Sequence, residues 1–263
     1  MTIADGWKSA ASSPFDLDGQ VSVVTGGGRG IGRAIVEALL AHGAQVVVAG
    51  RSAATLEALA DELNAGTRLA TCVADISSEN QVEQLYAFAR QRFGRVDTLV
   101  NNAGVNPYFR KAVDTPFEEW RQLINVNLSG TFLGCRVFGA AMLSQGSGSI
   151  INITSIGAHV GLERSAAYCA AKAGVEGLTR SLAVEWAKSG VRVNCIAPGY
   201  VETDLTAGLQ SNSGLKAHLI DSTPIGRLAY AEEISGAAVF LASRASTYVT
   251  GQSIVVDGGW TAK

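Results

Sequence analysis

The chain has 263 residues, of which 47% are apolar and 17% charged, with only 5 prolines; such a chain is ordered and long enough to bury a sizeable core. Its formal net charge of −2 gives no basic footprint for nucleic acid or an anionic membrane surface, and no apolar run approaches the ~20 residues that span a bilayer. Cys72, Cys135, Cys169 and Cys195 are scattered without paired spacing, which argues against a metal centre or a disulfide framework and for reduced thiols in a cytoplasmic protein.

In chain order, residues 1–17 read as a polar N-terminal arm, since they lack the basic start and apolar stretch of a signal peptide. A single domain is expected over 18–263. Its first strand is "VSVVTG" (21–26), followed by a helix in which Ile31, Ala34, Ile35, Ala38 and Leu39 lie at helical spacing and Gly43 suits the position just past the end. "AQVVVAG" (44–50) precedes a helical pattern over 53–66, and "LATCVAD" (69–75) precedes one near 78–93. "DTLVNNAG" (97–104) leads to a long helix from about 116 to 145, and "SIINITS" (149–155) to another from about 165 to 189. "VRVNCIAPG" (191–199) ends in a Pro-Gly turn, and the polar stretch 201–222 fits a mobile lid. A helix at 231–243 and the strand "SIVVDGG" (253–259) complete the chain.

The strands are continuous apolar runs, the signature of burial on both faces of a parallel sheet. Seven of them separated by helices predict an α/β fold, a doubly wound parallel sheet with helices on both faces. Ligands of such sheets bind beyond the carboxyl ends of the strands. Here those ends carry clusters of small and polar residues: "TGGGRG", "AGR", "AD", "NNAG", "TS" and "APG".

The glycine loop joins a strand to a helix, where helix N–H groups and the macrodipole attract phosphate. Gly26, Gly30 and Gly32 give the spacing G-x-x-x-G-x-G, which is not G-x-G-x-x-G. Arg33 and Ala34 stand where a Walker A loop requires Lys and Ser or Thr. "TGGGRGIG", "NNAG", the set Ser155, Tyr168 and Lys172, and "PGYVET" together resemble the short-chain dehydrogenase/reductase family, from about residue 18 to residue 259. The resemblance implies a Rossmann-like domain whose loop of Gly26, Arg29, Gly30, Ile31 and Gly32 holds the pyrophosphate of a nicotinamide dinucleotide. It also implies that Asn102, Ala103 and Gly104 support the central strand, that Asp75 accepts from the adenine amino group and that Ile76 lies against the ring. Pro198, Gly199, Val201 and Thr203 then belong to the nicotinamide end, and the assembly is expected to be a homotetramer. Trp260 fits either an interface or packing within its own subunit.

A cofactor without a 2′-phosphate usually meets an acid at the end of the second strand. That strand ends "VVVAGRS", with Arg51 and no carboxylate before Glu57. Arg51 and Arg29 supply two guanidinium groups suited to a phosphate dianion, so NADP(H) is expected over NAD(H). Tyr168 and Lys172, four apart, share one helix face. A tyrosine has a pKa near ~10; a neighbouring ammonium is expected to lower it, so that Tyr168 exchanges a proton with the substrate oxygen. Ser155 is placed to hydrogen-bond that oxygen, and by the resemblance Asn127 helps hold a water near the lysine.

The expected substrate is a small ketone or secondary alcohol, sugar- or keto-acid-like. An alternative is a β-ketoacyl carrier-protein reductase, but Leu133 and Val184 are apolar where such enzymes present basic residues, although Arg136 and Arg180 lie close by. A non-catalytic dinucleotide sensor is the alternative of another class, and it has no use for all four of Asn127, Ser155, Tyr168 and Lys172. Segments 105–114, 156–165 and 201–222 are expected to set specificity; within them Tyr108, Phe109, His159, Glu163 and Arg164 receive no role.

Overall fold

Val21–Thr25 (β1) is buried at every position, and its pleat separates successive valines. Val24 enters a core with Val46, Val48, Ile35 and Leu39, while Val23 enters a second core with Val47, Leu99, Leu85 and Phe138. That is why the strand needs apolar residues without alternation. The computed structural model describes residues 13–203, 206 and 212–263.

The other strands are Gln45–Gly50 (β2), Leu69–Val73 (β3), Thr98–Asn101 (β4), Gly148–Ile153 (β5), Val191–Pro198 (β6) and Ser253–Val256 (β7). They form one seven-stranded sheet in the order β3-β2-β1-β4-β5-β6-β7. Every pairing is parallel, with Val23 opposite both Val47 and Leu99. The order reverses between β1 and β4, the place where doubly wound sheets open a crevice. Six strands fall within the runs identified from the sequence, and β5 begins one residue earlier, at Gly148.

Helices Gly30–Ala41 (α1), Ala53–Leu63 (α2), Glu79–Phe93 (α3), Phe117–Ile124 (α4), Gly130–Gln145 (α5), Ala166–Trp186 (α6), Ser213–Asp221 (α7) and Glu232–Ala242 (α8) cover the sheet. α1 and α8 enclose the first core; α3, α5 and α6 enclose the second. Residues 117–145 are long and apolar enough to match a membrane span by length and composition. Cys135, Phe138 and Met142 in that stretch are buried against the sheet.

Three features depart from the sequence reading. The helix expected over about 116–145 runs over 117–145 but contains a π-helical turn at Asn125–Ser129. The stretch 201–222 contains α7, whose start is capped by Asn212 Oδ1 accepting from Leu215 N at 3.0 Å; residues 204, 205 and 207–211 of that expected lid lie outside the described residues. The arm over 1–17 lies outside them up to residue 12, but its end is docked. Leu17 is fully buried in the first core, its N–H donates to His42 O at 2.9 Å, and Phe15 packs on Phe240. Apolar side chains in the first core and on Phe240 hold the segment, which a count of polar residues does not register. Trp260 packs edge-on against Tyr200, ring centroids 5.0 Å apart, within its own chain.

Candidate active site

Where β1 ends, the backbone must turn sharply into α1. Gly26 (φ +63°) and Gly30 (φ +51°) take left-handed conformations that disfavour a side chain. Gly32 is a glycine for a different reason: a Cβ there would sit 2.3 Å from both Asn102 Nδ2 and Gly26 O. Asn102 binds this turn directly, its Nδ2 donating to Thr25 O and Gly26 O at 2.9 Å each. Thr25 Oγ1 in return accepts from Asn102 N and Ala103 N, both at 3.1 Å. The glycine loop and "NNAG" are therefore one hydrogen-bonded unit across the β1–β4 crevice.

That unit floors a cleft of ≈ 370 Å³ lined by Gly26, Arg29, Gly30, Ile31, Gly32, Arg51, Asp75, Ile76, Asn102, Ala103, Gly104 and Thr203. The position before α1, Arg29, makes no side-chain cap, so the N–H groups of the first turn are left to an anion in the cleft. Arg29 and Arg51 are both exposed. The Asp75 carboxyl is held below its ordinary value, first by Ser77, whose Oγ and N donate to Oδ1 at 2.6 and 2.9 Å, and also by the Arg51 charge. Ser52, Thr55 and Val126 also line the cleft and were not singled out from the sequence. Ser52 carried a usable signal, a serine immediately before a helical run; it caps α2 by accepting from Thr55 N at 3.3 Å.

Pro198, Gly199 and Val201 do not line this cleft. Val201 is buried in the first core and bridges to Ala229. A Cβ on Gly199 would lie 2.8 Å from Asp257 Cα, so this glycine lets β6 and the segment after β7 approach closely. Thr203 faces the loop, its Cγ2 3.2 Å from where a Gly30 Cβ would be.

At the inner end, Gly104 links the cleft to the catalytic candidates. A Cβ there would lie 3.0 Å from Asn127 Oδ1 and 3.6 Å from Lys172 Nζ. Lys172 is buried on α6 and donates to Ile153 O, the last residue of β5, at 2.7 Å. Its Nζ stands 5.7 Å from the centre of the Tyr168 ring, one helical turn earlier. Ser155, two residues past Ile153, is also buried; its Oγ accepts from Gly157 N at 3.1 Å. Tyr168, Lys172 and Ser155 thus converge because α6 packs on β6 and on the turn Ile156–Ala158 that follows β5.

The expected lowering of the tyrosine pKa is not seen. Burial pushes the Tyr168 phenol up to about 12, with a hydrogen bond to Ser155 pulling the other way. Burial pushes the Lys172 ammonium down to about 8. Both follow one cause, the low polarity around the pair, which favours the neutral form of each group. Asn127 lies at the same junction. Its amide is committed to the backbone of Val105, accepting from N and donating to O at 2.8 Å each. The π turn widens the helix at this point and presents that amide to the exit of β4.

A second, smaller cavity adjoins Tyr168 on the side away from the glycine loop, walled by Asn106, Tyr108, Arg110, Glu119 and Arg164 among others. Phe109 stacks under Arg164, whose guanidinium lies 5.7 Å from its ring centre. His159 lies apart from this cavity's walls, its Nε2 2.9 Å from Glu176 Oε1 on α6.

Residues 26–261 match the family model described as enoyl-(acyl carrier protein) reductase. The chain is 42% identical to the galactitol 2-dehydrogenase (L-tagatose-forming) of Cereibacter sphaeroides, over 94% of this chain and 97% of that protein. It is 42% identical to the D-threitol dehydrogenase of Mycolicibacterium smegmatis, over 95% of each. Among solved structures it is similar to a gluconate 5-dehydrogenase from Burkholderia cenocepacia in complex with NADP and tartrate, with a TM-score of 0.91 and 35% identity over 95% of this chain and 98% of that one. Sheet order, glycine loop and the Ser155–Tyr168–Lys172 cluster agree with these likenesses, and the chain belongs to the short-chain dehydrogenase/reductase family, oxidoreductases that act between an alcohol and a carbonyl.

Proposed function

We propose that this protein is an NADP(H)-preferring dehydrogenase of small secondary alcohols and ketones, with Tyr168, Lys172, Ser155 and Asn127 as its catalytic set. The observation that carries this reading is the meeting, at Gly104, of a phosphate-suited cleft with the buried Lys172 and the part-buried Tyr168 one turn before it.

The cleft fits a dinucleotide on its own chemistry. Uncapped helix N–H groups and glycines with no room for a Cβ suit a pyrophosphate. Arg29 and Arg51 beside the Ser52 hydroxyl suit a 2′-phosphate. Asp75 and Ile76 suit an adenine. When bound, the nicotinamide supplies a hydride to a carbonyl carbon or takes one from a carbinol carbon.

The chain's own residues handle the proton. The neutral Tyr168 phenol gives its proton to the substrate oxygen in reduction and takes one back in oxidation. Lys172, in its ammonium form, stabilises the phenolate during that exchange, and Ser155 steadies the substrate oxygen. Asn127 holds Val105 and thereby the wall between cofactor and substrate.

A carrier-protein substrate receives less support. Val184 is exposed and apolar, and the nearby cations have partners: Arg136 pairs with Glu79, and Arg180 lies 3.6 Å from Glu176. On the family resemblance we also read the protein as a cytoplasmic homotetramer with 18–263 as its single catalytic domain. The test is cofactor titration followed by turnover. NADPH is expected to bind at least tenfold tighter than NADH, with Arg51→Asp erasing the difference; tighter NADH binding by the unaltered chain contradicts the cofactor reading.

A further inference from the structure

Glu176 is a carboxylate inside the protein, its side chain 8% exposed, and it lies outside the cofactor cleft. It stands on α6 one turn past Lys172, so Tyr168, Lys172, Glu176 and Arg180 follow one another along a single helix face. A buried carboxylate must be paired or hydrogen-bonded, and three elements meet this one. Ser253 of β7 donates from Oγ to Glu176 Oε1 at 2.8 Å, and His159 Nε2 stands 2.9 Å from the same oxygen. Arg180, on α6 itself, lies 3.6 Å from Oε2.

His159 is the partner that comes from the catalytic side. The turn Ile156–Ala158 starts at Ser155, whose Oγ accepts from Gly157 N at 3.1 Å, and ends at His159, whose N donates to Ile156 O at 2.8 Å. Ala158 N donates to Ser155 O at 2.9 Å. These short-range bonds fix the shape of the turn but not its place against α6. Ile156 seats it by apolar burial, which is non-directional; the contact between His159 and Glu176 adds a preferred distance and angle.

We infer that His159 and Glu176 are positioning residues: their contact ties the turn that carries Ser155 to the helix that carries Tyr168 and Lys172, and so holds the Ser155 hydroxyl in register with the Tyr168 phenol. The inference rests on the catalytic set proposed above and adds two residues that act through it. The imidazole is 31% exposed, so its removal leaves no sealed void. Glu176 then keeps Ser253 and Arg180, and its charge is still met. What is lost is the restraint on the turn, and a hydrogen bond to a reacting oxygen is steeply sensitive to such a displacement.

The test reads NADPH-dependent reduction of fructose, tagatose and cyclohexanone by the full chain and by its His159→Ala and His159→Gln variants. The His159→Ala change is repeated in a Ser155→Ala background, under single turnover with enzyme in excess. His159→Ala is expected to lower kcat about tenfold, with KM and NADPH affinity each within about twofold of the parent. His159→Gln, whose amide still donates to Glu176, is expected to recover to within about threefold of the parent. In the Ser155→Ala background the same His159→Ala change is expected to lower the rate by about twofold or less, because the two residues act as one unit. A kcat unmoved by His159→Ala, no recovery in His159→Gln, or an equal loss with and without Ser155 overturns the positioning role alone. No reduction of any of these ketones by the parent chain overturns the proposed function and the positioning role with it.

Discussion

At the scale of single residues, the chemistry turns on two groups, the buried Lys172 and the part-buried Tyr168, pushed towards neutrality from opposite sides. Lys172 loses its proton near about 8 and Tyr168 keeps its own until about 12. Because the lysine pKa is depressed, its ammonium is present on the acid side of about 8 and gone on the alkaline side. The phenol remains a proton donor throughout. For ketone reduction, log kcat/KM is therefore expected to be level on the acid side and to fall as pH rises through about 8. A pH–rate profile that climbs through that region contradicts this assignment of Lys172. The sequence named both residues through their four-residue spacing, but not the direction of the tyrosine shift. That direction depends on how tightly β5, α6 and the loop after Ser155 close around the ring, which spacing does not encode. Asn127 was legible only through the family resemblance, and the π turn that aims its amide at Val105 left no mark in the sequence.

At the scale of elements, the glycine loop is a joint between two strand ends. Gly32 packs against Asn102 and Gly26 O with no space for a methyl group, and its backbone is not left-handed, so the requirement is steric. Gly32→Ala is expected to destabilise the fold by about 1–3 kcal/mol through overpacking and to weaken NADPH binding by an order of magnitude or more. Urea unfolding and fluorescence titration with NADPH check the two halves; unchanged values in both mean that the loop has slack the structure does not show. The strands were legible almost to the residue because burial on both faces leaves unbroken apolar runs. The helix boundaries were less so. A π turn preserves the apolar periodicity of residues 116–145 well enough to hide, and α7 carries little contrast between its faces. Likewise Ser52 and Thr55 join the cleft only because β2 and β1 are adjacent in space.

Across the whole molecule, the parallel sheet delivers five strand ends to one edge. β1, β2, β3 and β4 contribute the dinucleotide cleft, and β5 together with α6 contributes the proton-handling set. The sequence anticipated this division because ordered motifs fell at successive strand ends. It did not reveal the small cavity beside Tyr168, whose walls come from separate segments around Asn106, Glu119 and Arg164. Nor did it place residues 13–17, which the fold holds through the buried Leu17, the Phe15–Phe240 contact and backbone hydrogen bonds. Holding the cofactor and performing the chemistry are thus assigned to different parts of one cleft, and the two are separable by experiment. The decisive measurement is NADPH consumption with ketoses and simple ketones by the parent chain and by Tyr168→Phe, alongside NADPH binding to each. The account predicts turnover by the parent, a loss of at least a thousandfold, about 4 kcal/mol of transition-state stabilisation, in the variant, and NADPH affinity alike in both. Turnover that survives in Tyr168→Phe contradicts it.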